Sequence, residues 1–310
     1  MTKIKSSPNL LPVGFYDILF DEAEDSHRKI NIALDEFLKA KYRLIKTPLV
    51  EFADNFSREE IANSFLLSDV ISGKNLVLRN DITLQIARLL STRLQNNKLP
   101  LKLCYVGDVL ITKSTELYAD RQSTQVGVEI IGCDEEKSNL EIIETILKVL
   151  SKISLKNLLI EFSLPNFAEL FVAELKIKNS AKLLMAIRKK NLSAIENLAG
   201  KNSDLISEIA LSNNNLQLIS GKILAKIKSP KIAAELSRAK KIANFIATKF
   251  PTVQFCCDLF GDNNSYHQDI AFDIFSGNFS YPIACGGRYK INGVDAVGAT
   301  VYINRLRKLR

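Results

Sequence analysis

No apolar run in this 310-residue chain approaches the ~18 residues that a membrane span needs, and Leu183–Ile187 is typical of those present. Met1–Asn9 is polar, with Pro12 and Gly14 close behind. It lacks the apolar core and small-residue cleavage site of a signal peptide, so a cytoplasmic protein without membrane contact is expected. Histidine is scarce. Only His27 and His267 occur, which argues against a zinc site, and no metal or cofactor is expected. The five cysteines are odd in number, show no C-x-x-C spacing and have mostly apolar neighbours. They read as buried free thiols. No P-loop, G-x-S-x-G, H-E-x-x-H or G-x-G-x-x-G is present, and no basic run is interleaved with aromatics.

What is present is enough for a real core: 46% of residues are apolar and 25% charged, which excludes wholesale disorder. The length fits two units, or one large unit with an insertion. A net charge of +8 admits a nucleic-acid partner, but Lys, Asn and Ile abound throughout, as in Ile187–Asn191. The excess is read as compositional rather than as a nucleic-acid face.

Periodicity predicts a helix over Glu24–Lys41, with Ile30, Leu34, Phe37 and Leu38 on one face, then a strand over Arg43–Val50. Asn75–Arg79 reads as a strand and Asp81 as the cap of a following helix. Leu101–Thr112 and Arg121–Ile131 read as long strands, Ser138–Glu141 as a capping box, and Leu158–Ser163 as another strand. From Asn166 to Phe250 the pattern is almost wholly helical, with a capping box at Ser193, a stop at Gly200 and a start at Ser229-Pro230. Strands return at Thr252–Leu259, Tyr266–Phe275, Phe279–Ala284 and Asp295–Ile303. The expected fold is α+β: a six- or seven-stranded, mostly antiparallel sheet built from 1–164 and 251–310, with a helical insertion at 165–250.

Alternation places Arg121, Ser123, Gln125, Gly127 and Glu129 on one face of their strand, opposite Val126, Val128 and Ile130. Gln125 and Glu129 can converge on a small polar molecule, or the face is ordinary solvated sheet. In the last strand Ala296, Gly298, Thr300 and Tyr302 share a face. Gly286-Gly287 reads as a tight turn beside Arg288, a candidate anion contact. His267 is a candidate base or ligand contact.

These segments together resemble a known family. Leu11–Asp17, Thr47–Glu51, Leu78-Arg79-Asn80-Asp81-Ile82-Thr83, the Arg121–Glu129 strand and Gly286-Gly287-Arg288-Tyr289 follow the order of the histidyl-tRNA synthetase core, a class II aminoacyl-tRNA synthetase. More closely, they resemble that enzyme's non-catalytic paralogues, the regulatory subunits of ATP phosphoribosyltransferase. Thr47–Glu51 is similar to motif 1, the dimer contact of the family.

The departures from the enzyme are specific. The motif 2 arginine that holds the ATP α-phosphate falls on Ile111, and the glutamate two positions on falls on Lys113. The catalytic arginine of the histidine motif falls on Asp262. In motif 3 the glycine becomes Tyr302 and the glutamate Asn304, while Arg305 remains. Five residues follow Arg305, where a synthetase continues into an anticodon-binding domain. By resemblance, the histidine contacts are Asp81, Thr83, Gln125, Glu129, Tyr266 and His267, with Arg121 and Arg288 as further pocket residues and no catalytic group. The resemblance implies a homodimer that assembles with a short ATP phosphoribosyltransferase catalytic chain in a hetero-oligomer, with histidine as inhibitory effector. A truncated synthetase or amino-acid ligase with a rebuilt ATP site is the enzymatic alternative, and a tRNA-binding module the other.

Overall fold

The structure is a computed structural model, and it describes residues 10–114, 119–133, 135–212, 216–261, 267–277 and 279–309. In chain order the elements are α1 (Phe20–Lys39), β1 (Arg43–Ile45), β2 (Val50–Phe52), β3 (Leu66–Ser68), β4 (Asn75–Leu78), α2 (Thr83–Ser91), β5 (Leu101–Leu110), β6 (Gln122–Ile131), α3 (Glu135–Lys152) and β7 (Leu158–Ser163). A helical run follows: α4 (Phe167–Glu174), α5 (Ser180–Arg188), α6 (Leu192–Ala199), α7 (Ser203–Leu211), α8 (Leu216–Lys226) and α9 (Pro230–Lys249). Strands β8 (Gln254–Asp258), β9 (Ala271–Ser276), β10 (Ala284–Ile291) and β11 (Val294–Tyr302) then lead into α10 (Ile303–Leu306).

The fold is α+β, as expected. Its main sheet has eight strands in the order β1-β5-β6-β11-β10-β9-β7-β8, antiparallel except for the terminal pairs β1–β5 and β7–β8. A second sheet orders β2-β4-β3. One apolar core joins the main sheet to α1, α3 and the helical run through Phe37, Val128, Ile146, Phe162, Phe171 and Ile246. A second cluster, with Ile82, Ile86, Leu103, Tyr105 and Tyr289, packs under α2.

Several sequence expectations need correcting. Arg43–Val50 is not one strand: it splits around Pro48 into β1 and β2, which belong to different sheets. The buried stripe of α1 is Lys29, Ala33 and Phe37, and Leu38 is 47% exposed. Helix α3 starts a turn before Ser138, whose buried hydroxyl accepts a bond from Arg288 instead of capping. Asn191, not Ser193, caps α6, taking the Ala194 N–H at 3.1 Å. Gly200 does end that helix, with φ +54°.

The segment expected as a strand over Phe279–Ala284 contains Pro282, which has no N–H for a ladder, and β10 begins only at Ala284. Gly286 and Gly287 therefore lie inside a strand rather than in a turn. They are small because their neighbours are close: a Cβ on Gly286 would stand 2.6 Å from the Gly298 carbonyl.

Candidate functional site

Asp81 occupies the turn before α2. One carboxylate oxygen takes the Thr83 N–H at 2.7 Å, and the other takes the Gln125 amide at 3.1 Å. Gln125 in turn accepts the Ile82 N–H at 3.3 Å, so the start of α2 is fastened to β6. Four residues along β6, Glu129 receives the Thr83 hydroxyl on Oε1 at 3.1 Å and the Tyr289 hydroxyl on Oε2. Beside them the Tyr105 and Thr300 hydroxyls share a bond of 2.8 Å. The polar face of β6 is thus no solvated sheet: Gln125 and Glu129 are each 2% exposed. Burial pushes the Glu129 carboxyl up to about 8, with Asp81 adding to the effect and the Tyr289 and Thr83 donors opposing it.

Glu129 borders a cavity of about 710 Å³. Its lining includes six carboxylate residues, Glu60, Asp81, Glu129, Glu161, Asp258 and Asp273, and no Lys or Arg among the described residues. Burial raises Glu161, and Asp258 and Asp273 raise it further against the pull of Lys190. Such a space attracts a cation and repels a polyphosphate. His267 also lines it, with Nδ1 2.6 Å from where a Cβ on Gly287 would sit. Burial lowers its pKa, which favours the neutral imidazole.

The positions where the chain departs from the synthetase pattern have other work. Ile111 lines the cavity with hydrocarbon. Lys113 is exposed, and its backbone N–H is held by Asn63 at 2.7 Å. Asn304 ties α10 to β6, accepting the Thr124 N–H at 2.9 Å and donating to the Gln122 carbonyl at 3.2 Å. The Arg305 guanidinium lies 3.9 Å from the centroid of the Tyr302 ring and donates to the Pro282 carbonyl. Tyr302, which lines the cavity, therefore stacks against the one cation that the motif retains.

Of the residues singled out from sequence, the structure brings together Asp81, Thr83, Gln125, Glu129 and His267. Tyr266 and Asp262 lie outside the described residues. Two placements are corrected. Arg121 does not line the cavity: it stacks on Phe15 and Phe65, at 5.1 and 4.9 Å, and donates to the Val13 and Ile111 carbonyls, holding the N-terminal segment. Arg288 is 2% exposed and reaches α3, where it donates to Ser138 at 3.1 Å. The functional neighbour in that motif is Tyr289. Strand alternation sends it to the opposite side from Arg288, a signal hidden while the glycine pair was read as a turn.

The sequence profile of the family described as Histidyl-tRNA synthetase matches residues 14–306. The chain is 32% identical to the ATP phosphoribosyltransferase regulatory subunit of Caldanaerobacter subterraneus subsp. tengcongensis over 312 residues, covering 96% of this chain and 81% of that one. Among solved structures it resembles an ATP phosphoribosyltransferase regulatory subunit/histidyl-tRNA synthetase from Bacillus halodurans, with a TM-score of 0.82 at 20% identity, over 99% of this chain and 84% of that one. A chain of the ATP phosphoribosyl transferase (HisG:HisZ) complex from Thermotoga maritima superposes with a TM-score of 0.69 at 20% identity, over 90% and 97% of the two chains. At these identities the structural likeness is one of fold.

Proposed function

The chain belongs to the histidyl-tRNA synthetase family, on the side of the ATP phosphoribosyltransferase regulatory subunits, and from that premise we propose that it is a non-catalytic, histidine-binding subunit of a cytoplasmic ATP phosphoribosyltransferase. It serves the first step of histidine biosynthesis in a hetero-oligomer with a short catalytic chain, and histidine inhibits the assembly through it. Residues 165–250 are an insertion in a core made of 1–164 and 251–310.

One observation supports this reading: among the described residues the cavity lining combines carboxylates with neutral hydrogen-bonding groups and includes no Lys or Arg. Asp81 and Glu129 supply carboxyl groups, with Glu129 ionising when a cation binds, while Thr83, Gln125 and Tyr289 supply neutral groups that fix orientation. By the family resemblance, His267 and Tyr266 belong to the same set of histidine contacts. No Lys or Arg lines the space among the described residues, and Ile111 stands where phosphate would need a donor.

A fold that binds an amino acid without activating it acts through another protein. The exposed apolar side chains Leu38, Leu44, Leu49 and Phe52, on and between α1, β1 and β2, support placing the contact of a homodimer there. Coupling of about 1–3 kcal/mol between histidine and the catalytic site suffices for inhibition.

Co-expression with the short catalytic chain from the same genome tests the proposal. The expected result is a stable complex with transferase activity that neither chain has alone and that histidine suppresses. Full, histidine-sensitive activity in the catalytic chain by itself would overturn it.

A further inference from the structure

The positive charge of the chain is not spread evenly. Residues 165–250 contain 15 Lys and Arg against 6 Asp and Glu, a net +9, so the remainder carries a net −1. Within this segment Arg188, Lys190, Lys222 and Arg238 are neutralised by Glu169, Asp258, Glu208 and Glu235. Eight exposed lysines of the segment have no carboxylate partner among the described residues: Lys182 on α5 and Lys189 at its C-cap, and a group of six, Lys176, Lys178, Lys201, Lys226, Lys228 and Lys231.

Two hydrogen bonds gather the six. Ser229 donates to Glu174 at 2.8 Å, which sets the Lys228–Lys231 start of α9 beside the end of α4 that leads to Lys176 and Lys178. Lys226 donates to the Lys201 carbonyl at 3.4 Å, which draws the last turn of α8 to the 3-10 turn Gly200–Asn202. None of the six lines the cavity.

We propose that this lysine-rich end of the helical segment is the surface that docks an acidic face of a protein partner, the catalytic transferase chain. The identity of that partner rests on the functional reading above. The six carry no arginine fork and no aromatic ring, so they lack the usual means of gripping and stacking on a nucleic acid. Unpaired surface charges of one sign, on a chain otherwise near neutrality, give a directed field that accelerates encounter with an oppositely charged face.

The test compares the full-length chain with the variant Lys176→Glu, Lys178→Glu, Lys228→Glu, Lys231→Glu by stopped-flow association with the catalytic chain. At low salt the on-rate is expected to fall about tenfold or more, with the dissociation rate little changed. The difference should shrink as added salt shortens the screening length. The thermal midpoint and histidine binding, which do not involve these exposed side chains, should match wild type. Equal on-rates for wild type and variant would overturn the docking surface while leaving the regulatory reading intact. A wild-type chain that does not associate at all would overturn both. Loss of tRNA capture in the variant, with partner association unchanged, would overturn the proposal in favour of a nucleic-acid surface.

Discussion

Glu129 and Gly298 face each other across the β6–β11 register, and a Cβ on residue 298 would overlap the Glu129 carboxyl. The glycine is required by space, since its φ is not positive. Its missing side chain is the room in which the acid lies while Thr83 and Tyr289 hold its two oxygens.

Gly298→Ala is therefore expected to push Glu129 off both donors and to weaken histidine binding about tenfold or more, roughly 1.4 kcal/mol. Glu129→Ala should weaken binding at least as much while costing less in folding, because it removes the buried acid together with its bonds. Calorimetry on the assembled complex, paired with urea unfolding, separates the two effects. Unchanged histidine affinity in both variants would remove Glu129 from the site.

The raised carboxyl of Glu129 has a definite pH signature. Its pKa stands at about 8 in the folded chain against 4.5 for the free group. Between these values the folded state binds the extra proton, so this residue makes stability fall as pH rises, by up to about 1.4 kcal/mol per unit. The loss is complete above pH 8 and absent below 4.5. Glu129→Gln should flatten that decline in the unfolding free energy measured from pH 5 to 9. A bound cation favours the ionised acid, so histidine binding near pH 7 should release a proton. Titrations in buffers of different ionisation enthalpy would detect it, and no proton release would mean that the carboxyl is already charged.

Much of the site was legible because Gln125 and Glu129 sit at period-two spacing on a strand whose other face is plainly apolar, and Asp81 and Thr83 belong to a motif with fixed order. Periodicity did not reveal that this polar face is buried, since burial is conferred by α2 and by strands far along the chain. Tyr289 stayed hidden for a similar reason: a glycine pair reads locally as a turn, and only the neighbouring strands show why β10 needs two residues without side chains. The helical run was legible throughout. Its stop at Gly200 and its start at Ser229-Pro230 were legible too, although the Ser229 hydroxyl bonds Glu174 and not the helix, whereas Asn191 takes the capping role expected at Ser193, and in α3 the Ser138 hydroxyl meets Arg288.

The small sheet is anchored to the site through one ion pair. Arg88 on α2 grips Glu51 on β2 with two bonds, at 2.7 and 2.8 Å, and Gln85 adds a third at 2.8 Å. The Glu51 side chain is only 5% exposed. Arg88→Ala strands that charge, and the expected destabilisation is about 3–5 kcal/mol, read as a drop in the urea midpoint. Replacing both partners, Glu51→Leu with Arg88→Met, should recover most of it. A single variant as stable as wild type would show that the pair holds nothing together.

Adenylate formation needs preorganised positive charge on the ATP phosphates, and loss of one such group typically costs ~10²–10³ in rate. Here Ile111 offers methyl groups, Asn304 is spent on the Thr124 and Gln122 backbone, and Arg305 is stacked against Tyr302. The acidic side chains around the same space offer a polyphosphate no compensating attraction. Histidine-dependent ATP–pyrophosphate exchange is therefore expected at background for the chain alone and for the complex. Restoring one arginine with Ile111→Arg should not rescue it, because the carboxylates and the Tyr302 ring remain. Exchange well above background that disappears in Arg305→Ala would instead identify a working ATP site and return the chain to the enzymes.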